Sequence, residues 1–544
     1  VSGTAFTGTA TLVRLAVRRD RVLLPVWLAS VAGLTAALVA SLAALYTDPR
    51  ERAAAAALSA ANVVSRIFDG PASGTELGAL SMVEAYLVLG ILVSLMSSQA
   101  VVRHTRQEEE TGRAELVGAG VVGRYARLTA ALVVAAGANA VVVAAVAAVL
   151  AANGLDLAGS LAGGLSLGAL GVAFAGVAAV AAQITQTQRA ANGLAMLAFG
   201  TAFLLRAVGD AFGRVGPSGV EVVSAWPSWL SPIGWGHQIR PFHQDNWDVL
   251  GLFAALTMAL VWLAFVLVDH RDVGTGMLGT RPGPAVAPRG LGSPLGFAWR
   301  LQRGTLLAWT VGLVVAGAAF GAVGDSVDDF VGVSEQFEQV LRQLAPAGDL
   351  VDLYFALAMG FVGLAAAGYT VQALLRPRVE EAAGRLEPVL ATAVGRARWL
   401  GSHALVAGAG TVVVLVATGL SGTIAYAWVT SDLAAGLGFL WAALAQIPAA
   451  LALGGFVVAA FALWPPLSTA LSWAALAVSL VMGQLGALLE LPQPVLDISP
   501  FTHVPRVPAE PLTATPVVVL LAVAVALFGA GLVAFRRRDL ALTA

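Results

Sequence analysis

Hydrophobic positions in this chain neither alternate nor recur as a stripe. They come in unbroken runs of roughly twenty residues or more, set apart by short polar breaks. Twelve such runs can be read: Val22–Tyr46, Leu80–Val102, Ala126–Ala152, Leu157–Ala182, Ala190–Val208, Val249–Val268, Gly304–Val323, Leu350–Leu375, Leu400–Val429, Leu433–Leu463, Leu467–Leu489 and Thr515–Phe535. A segment apolar on every side is stable in hydrocarbon as a helix, because the helix satisfies each backbone group internally. The pattern therefore predicts an all-α polytopic membrane protein with about 12 transmembrane helices. Residues 1–21 are too short of apolar length to span and carry Arg14, Arg18, Arg19 and Arg21, which predicts an amphipathic helix lying on the inner membrane surface. The run Val22–Tyr46 is too long for a signal-peptide core and lacks a small-residue cleavage site, so it reads as a retained span.

The polar breaks are as informative as the runs. Between Arg103 and Glu115 stand seven charged residues. At roughly 3 kcal/mol each at mid-bilayer, they would cost on the order of 20 kcal/mol inside hydrocarbon, so this island lies outside it. The island is written twice. Glu108, Glu109, Gly112, Arg113, Glu115, Gly123 and Arg124 recur at the same spacing as Glu380, Glu381, Gly384, Arg385, Glu387, Gly395 and Arg396. Other landmarks recur in the same order. Arg18, Arg21, Leu24 and Trp27 match Arg300, Arg303, Leu306 and Trp309; Ser231-Pro232 matches Ser499-Pro500; Arg271-Asp272 matches Arg538-Asp539. This predicts two six-span halves, 1–273 and 295–544, joined by a Gly/Pro-rich cytoplasmic linker at 274–294. An even number of spans per half makes the repeats parallel.

Charge fixes the orientation. With the N-terminus inside, 23 arginines fall in inner segments and 8 in outer ones, which places both termini and both islands in the cytoplasm of a plasma-membrane protein. The outer segments 47–79, 209–247 and 324–349 are long, and the second carries Trp226, Trp229, Trp235 and Trp247. They read either as short re-entrant or interfacial helices over the outer face or as an ordinary aromatic belt.

Composition narrows the chemistry. Of 544 residues, 58% are hydrophobic and only 12% charged, with mean hydropathy +0.82. There is no cysteine, which excludes thiolate metal sites and cysteine nucleophiles. All 31 cationic residues are arginine; without a lysine the chain cannot form a P-loop of its own. His237 and His243 share a loop with Asp245 at spacings that fit no zinc pattern, and no His-Glu-x-x-His occurs. No catalytic, metal or cofactor-binding set is assigned. Richness in Arg, Ala, Gly and Val is the composition of a high-GC genome, as in actinobacteria.

Glu109 and Arg113 are four apart, as are Glu381 and Arg385, so each island is expected to hold a short acidic helix with an i,i+4 ion pair. Gly112 and Gly384 are expected to let another backbone approach closely. A single island could be a solvated turn; recurrence of two glutamates, a glycine, an arginine and a third glutamate favours a docking surface. The segment Glu-Glu-x-x-Gly-Arg-x-Glu between the second and third spans resembles the coupling-helix region of ABC-2-type exporter permeases. The basic segment before the first span and Ser-Pro near the last span of each half also fit that family. The fused twelve-span form is similar to actinobacterial permeases of the polyketide-antibiotic or tetronasin multidrug-exporter type. The second island departs from the first, with Ala382-Ala383 for Glu110-Thr111 and with Pro388 following, which predicts unequal docking sites.

The resemblance implies a membrane permease subunit, not itself an ATPase. ATP and Mg would be handled by two copies of a separate ATPase that docks at Glu108, Glu109, Gly112, Arg113 and Glu115 and at Glu380, Glu381, Gly384, Arg385 and Glu387. Its cargo would be a hydrophobic or amphipathic drug-like compound; lipid is the surrounding partner and no nucleic acid is expected. Candidates for the apolar substrate path are Met82, Tyr86, Met96, Phe199, Phe203, Tyr354, Phe355, Met359 and Met482, with Gln99, Gln372 and Gln484 as polar members. Packing is the competing reading for each apolar member, and interhelical hydrogen bonding for Gln99, Asn139, Gln183, Asn192, Gln372, Gln446 and Gln484. The alternative function is a proton-coupled efflux transporter of the major-facilitator type. Against it, Glu84, Asp210 and Glu490 all lie near outer ends, leaving no carboxylate at mid-membrane depth.

Overall fold

Each long apolar run closes its own backbone hydrogen bonds, and the computed structural model is helical accordingly. It describes residues 5–272, 274–277, 285–324, 350–485 and 492–539. Among these, eleven helices of 23 to 35 residues are long and apolar enough to cross a membrane. At about 1.5 Å per residue, even the shortest exceeds a hydrocarbon layer about 30 Å thick. The chain is an all-α polytopic membrane protein. It divides into two compact units, Val1–Pro282 and Gly283–Ala544.

In the first unit, α1 (Thr9–Arg19) precedes the span α2 (Leu23–Leu45). The two are separated by a turn because Pro25 has no N–H to donate back to Arg21, so it is tolerated only in a first helical turn. After α3 (Pro49–Ala61) and α4 (Val63–Phe68) comes α5 (Leu77–Val102), which runs on through a π turn at Arg103–Gln107 to Glu110. Next are α6 (Arg113–Gly118), the spans α7 (Ala126–Ala152), α8 (Leu157–Ile184) and α9 (Gln188–Ala211), the short α10 (Pro232–Gln238), and the span α11 (Leu250–Asp269). Helix α8 is the centre: 72% of its apolar window is buried, against 17% for α2 and for the last span. Small residues bring its neighbours close. A Cβ on Gly164 would lie 2.6 Å from the carbonyl oxygen of Val143, and one on Gly168 would lie 2.3 Å from the Val143 side chain, both on α7.

The end of this unit opposite the charged island is covered. Asp48 and Glu51 cap α3 reciprocally. Strands β1 (Arg214–Val215) and β2 (Val222–Val223) form a two-stranded hairpin with Arg214 opposite Val223. Ser231 caps α10 and donates its hydroxyl to the carbonyl of Ala202, 2.6 Å away on α9. Arg206, fully buried, ties α9 to the carbonyls of Ile67 and Phe68 and pairs with Asp210 one turn on in the same helix. The segment 209–247 thus folds as a small hairpin and short helices over this end, while Trp226, Trp229 and Trp247 stay exposed.

In the second unit, α12 (Pro294–Val323) begins ten residues before the predicted span. Ser293 caps it, Pro294 starts it, and Leu307 stands where the first half has Pro25, so the basic segment and the span form one helix. Then follow α13 (Leu350–Leu374), α14 (Arg376–Ala382), α15 (Leu386–Leu390), α16 (Arg396–Thr430), α17 (Leu433–Ala445) and α18 (Ile447–Leu463). Helices α17 and α18 form one span broken at Gln446 by Pro448, and 78% of its window is buried. A Cβ on Gly317 would sit 2.5 Å from the carbonyl oxygen of Thr418, and one on Gly321 would sit 2.2 Å from that of Gly422, so α12 and α16 touch backbone to backbone. The predicted run Leu467–Leu489 is present as α19 (Ser468–Leu480), extended by a π turn to Leu485, beyond which 486–491 lie outside the described residues. So does 325–349 of the predicted outer segment. The unit ends with α20 (Gln493–Leu496) and the span α21 (Ala514–Arg537).

Candidate functional site

Each island is a broken helix. In the first unit the α5 rod ends at Glu110, Gly112 turns left-handed at φ +73°, and α6 begins at Arg113. In the second unit α14 ends at Ala382 and Gly384 takes φ +67°. Arg385 donates its backbone N–H to the carbonyl of Glu380, the six-to-one bond that closes a helix C-terminus over a left-handed glycine.

This break overturns the expected i,i+4 pairs. Glu109 and Arg113, like Glu381 and Arg385, are on opposite sides of a reversal and do not pair. Instead Glu109 turns inward, 5% exposed, between Arg271 at 2.7 and 2.9 Å and Arg106 at 2.8 Å. Glu381 also turns inward and takes both its hydrogen bonds from Arg538, at 2.7 and 2.8 Å. Arg271 and Arg538 are the arginines that follow the last span of each half. Glu380 is held by Arg376 at 2.7 Å and by Arg385 at 2.8 Å. At Gly112 a Cβ would meet nothing within 4 Å in this chain, and the positive φ at Gly112 and Gly384 is by itself a reason for glycine at both positions.

The first island is tied further. Glu108 pairs with Arg19 of α1. Asp20, 1% exposed, binds Arg103 at 3.0 Å and His104 at 2.5 Å. Burial pushes the Asp20 carboxyl up, but the His104 hydrogen bond and the charges of His104, Arg103 and Arg19 outweigh it and hold the group below the usual carboxylate range. Arg106 donates to the carbonyls of Ala182 and Thr275, and Arg271 donates to Gln183 at 2.6 Å, joining the island to the end of α8. Glu110 accepts the backbone N–H of Gln188 at 2.9 Å, a carboxylate at the N-terminus of α9. On the far side of the loop, Gly123 and Tyr125 donate to the carbonyls of Thr7 and Ala5, both at 2.9 Å. The sequence reading missed Asp20 and His104 altogether. It had Arg271 and Arg538 only as repeated landmarks, and their recurrence was the signal that could have marked them as partners.

What faces solvent is the next turn. Arg113 and Glu115 are exposed and make no ion pair among the described residues; Leu116 is 79% and Val121 86% exposed beside them. In the second unit Arg385, Glu387 and Pro388 are exposed. Both islands thus divide the same way, with a glutamate pair turned onto the unit and an Arg-x-Glu turn presented outward.

The path candidates are placed differently. Met82, Tyr86 and Met96 are buried in the core of the first unit with Phe199 and Phe203 packed against it. Tyr86 donates to the carbonyl of Ser166 and lies 4.5 Å from the His237 ring; Phe199 packs tilted against Phe174, and Phe203 packs near Phe68. Phe355 and Met359 are core residues of the second unit, Phe355 only 3.9 Å from the Phe439 ring, and Tyr354 donates to the carbonyl of Phe320. Gln372 is exposed and accepts from the Trp309 indole at 2.6 Å; Gln99 is half-buried. Met482 is half-buried, and the Gln484 side chain lies outside the described residues. In this conformation the apolar candidates other than Met482 are packed in or against the cores of the two units. A cleft of about 490 Å³ does open in the first unit between α8, α9 and α11, lined by Val177, Leu194, Leu197, Thr201, Trp235 and Leu256 among others, and none of the candidates lines it.

Comparison with known proteins places this architecture. Residues 291–536 match the family model described as multidrug efflux system permease Rv1217c, C-terminal domain. Over 539 residues, 99% of this chain and 96% of the other, the sequence is 40% identical to the multidrug efflux system permease protein Rv1217c of Mycobacterium tuberculosis.

Proposed function

Because the chain belongs to the multidrug efflux system permease family, we propose that it is the membrane-spanning permease subunit of an ATP-binding-cassette exporter. It moves hydrophobic or amphipathic drug- or antibiotic-like compounds out through the cell membrane. Two copies of a separate ATPase bind ATP with Mg and hydrolyse it; this chain, having no lysine, supplies no P-loop. Both termini and both islands lie in the cytoplasm, as the arginine bias requires.

The observation that carries the reading is the shared division of the islands. A docking element has to offer a free surface and be fastened to what it moves. Arg113 and Glu115 with Leu116 and Val121, and Arg385 with Glu387, are the free surfaces. Glu109–Arg271 and Glu381–Arg538 are the fastenings, each running to the end of its unit's last span. The docking contacts are accordingly the later residues of each island, and Glu108, Glu109, Glu380 and Glu381 transmit rather than touch. No observation favours the major-facilitator reading.

The test is co-purification and efflux with membrane levels matched. Arg113→Glu with Glu115→Arg should weaken attachment of the ATPase or leave it attached and uncoupled, with the permease as thermally stable as wild type; Arg385→Glu with Glu387→Arg should impair attachment or coupling likewise and also lower thermal stability, because Arg385 holds Glu380. The purified chain alone should hydrolyse no ATP. Wild-type efflux and ATPase pull-down in both reversals would sink the proposal.

A further inference from the structure

The outward face of α1 makes no ion pair or side-chain hydrogen bond among the described residues of its unit. Its inward face carries Leu12, Ala16 and Arg19 against Ala114, Val117 and Ala130, while Arg14, Arg18 and, in the following turn, Arg21 are exposed and unpaired among the described residues. Exposed beside them are Val17 and Val22, with Leu15 half out of the inward face at its edge. The only acidic residue in 5–22 is Asp20, and both its oxygens are directed inward to Arg103 and His104. Three free arginines bordered by apolar side chains, immediately before a span, lie where headgroups meet acyl chains. We propose that α1 is a binding surface for anionic phospholipid headgroups and that their occupancy sets how firmly the first island is held.

The second half of the proposal follows from where α1 is fastened. Arg19–Glu108 and Asp20–Arg103/His104 grip the island before its exposed loop, and the N–H bonds from Gly123 and Tyr125 to Thr7 and Ala5 grip it after. The N-terminal segment thus brackets the stretch 109–122. Without counter-charge the exposed arginines repel one another and favour lifting of α1; with anionic headgroups beneath them the bracket stays seated. Among the described residues the second unit shows no such bracket. Its basic segment is continuous with the span, and the residue matching Asp20 is Gln302, which bonds His403 in place of an island residue. The inference does not depend on what drives transport.

The test uses the full chain in vesicles of phosphatidylcholine alone or with phosphatidylglycerol mixed in. Since there is no native cysteine, Ala119→Cys reports the first island and Ala391→Cys the second by their rates of maleimide labelling. Anionic lipid should slow labelling at Ala119→Cys several-fold and leave Ala391→Cys unchanged. Each arginine near an anionic surface strengthens binding roughly fivefold, so Arg14→Gln/Arg18→Gln/Arg21→Gln should weaken phosphatidylglycerol retention on the order of a hundredfold and abolish the slowing. These side chains are exposed and make no ion pair among the described residues, so the variant should fold. Salt near 1 M, where the Debye length is about 3 Å, should remove the slowing in the unmodified helix. Arg19→Gln should keep the lipid and lose the slowing. Equal labelling of Ala119→Cys in both vesicles, or a lipid effect that survives the triple substitution, overturns the proposal. Failure of ATPase attachment would leave this result untouched.

Discussion

The fastening at Glu381 can be tested quantitatively because its geometry is so one-sided. Arg538 supplies both hydrogen bonds to the carboxylate, and the pair's side chains are 5% and 13% exposed. Arg538 has other support: it donates to the carbonyl of Phe461 at 3.0 Å and lies over the rings of Phe461 and Phe535. Glu381 has none. Arg538→Gln therefore strands a buried carboxylate, worth about 3–5 kcal/mol, while Glu381→Gln leaves an arginine that keeps its carbonyl and rings and should cost about 2 kcal/mol. The double substitution should cost little more than the worse single one, a coupling of about 2 kcal/mol. In the first unit Glu109 has a second cation, Arg106 at 2.8 Å, so Arg271→Gln should cost about half as much as Arg538→Gln. The assay is thermal inactivation of the purified full chain in detergent at one fixed scan rate, because a protein of this size unfolds irreversibly. Each kcal/mol moves the midpoint by only about 2 °C or less in a large chain, so the expected loss for Arg538→Gln is several degrees. Additive effects of Glu381→Gln and Arg538→Gln, or equal damage from Arg271→Gln and Arg538→Gln, would refute the reasoning.

Two further predictions rest on separate contacts. Gly321→Ala should destabilise the second unit by about 1–3 kcal/mol, since its Cβ would meet a backbone oxygen at 2.2 Å, whereas Gly312→Ala on the same helix meets nothing within 4 Å and should be neutral or stabilising by up to about 1 kcal/mol; the same thermal assay separates them. Ser218→Cys, in the exposed hairpin between β1 and β2, should react with an impermeant maleimide in sealed cells, and Ala119→Cys should not; the reverse pattern would overturn the orientation.

The spans were legible because hydrocarbon leaves a segment one way to satisfy its backbone, so run length alone predicted helices such as Ala126–Ala152 to the residue. The position of the charged islands was legible for the same reason. What the island does internally was not. The spacing of Glu109 and Arg113 is right for a helix pair, but Gly112 between them adopts a left-handed conformation, and a pair rule assumes the helix continues. The true partners, Arg271 and Arg538, are more than 150 residues away from Glu109 and Glu381, and no local periodicity reaches that far. Met82 and Phe355 illustrate a different limit. A large apolar residue in a span fits a substrate path and a packed core equally well from sequence; the structure adds their neighbours, Gly163 against Met82 and Phe439 against Phe355, which sequence does not give.

The same contacts give the inequality of the two islands a physical content. The first is fastened to α1, to the ends of α8 and α9 and to Arg271, and it presents Leu116 and Val121 to solvent. The second is held by Arg538, Arg376 and Arg385, and its exposed turn offers Arg385, Glu387 and Pro388, its exposed large aliphatic side chain, Val379, standing on α14 before the turn. Apolar burial is not screened by salt, whereas exposed charge pairs beyond a Debye length largely are. On the proposed reading, then, a partner on the first island is gripped by apolar contact on a stiff base, and one on the second by charge on a base with fewer ties. Arg385 sharpens the contrast, because it is at once an exposed docking charge and an internal partner of Glu380 at 2.8 Å. A partner carboxylate that claims Arg385 must draw it from Glu380, leaving Arg376 as that glutamate's remaining cation, so docking at the second island loosens the island's own fastening. Arg113 has no such internal tie, so docking at the first island does not.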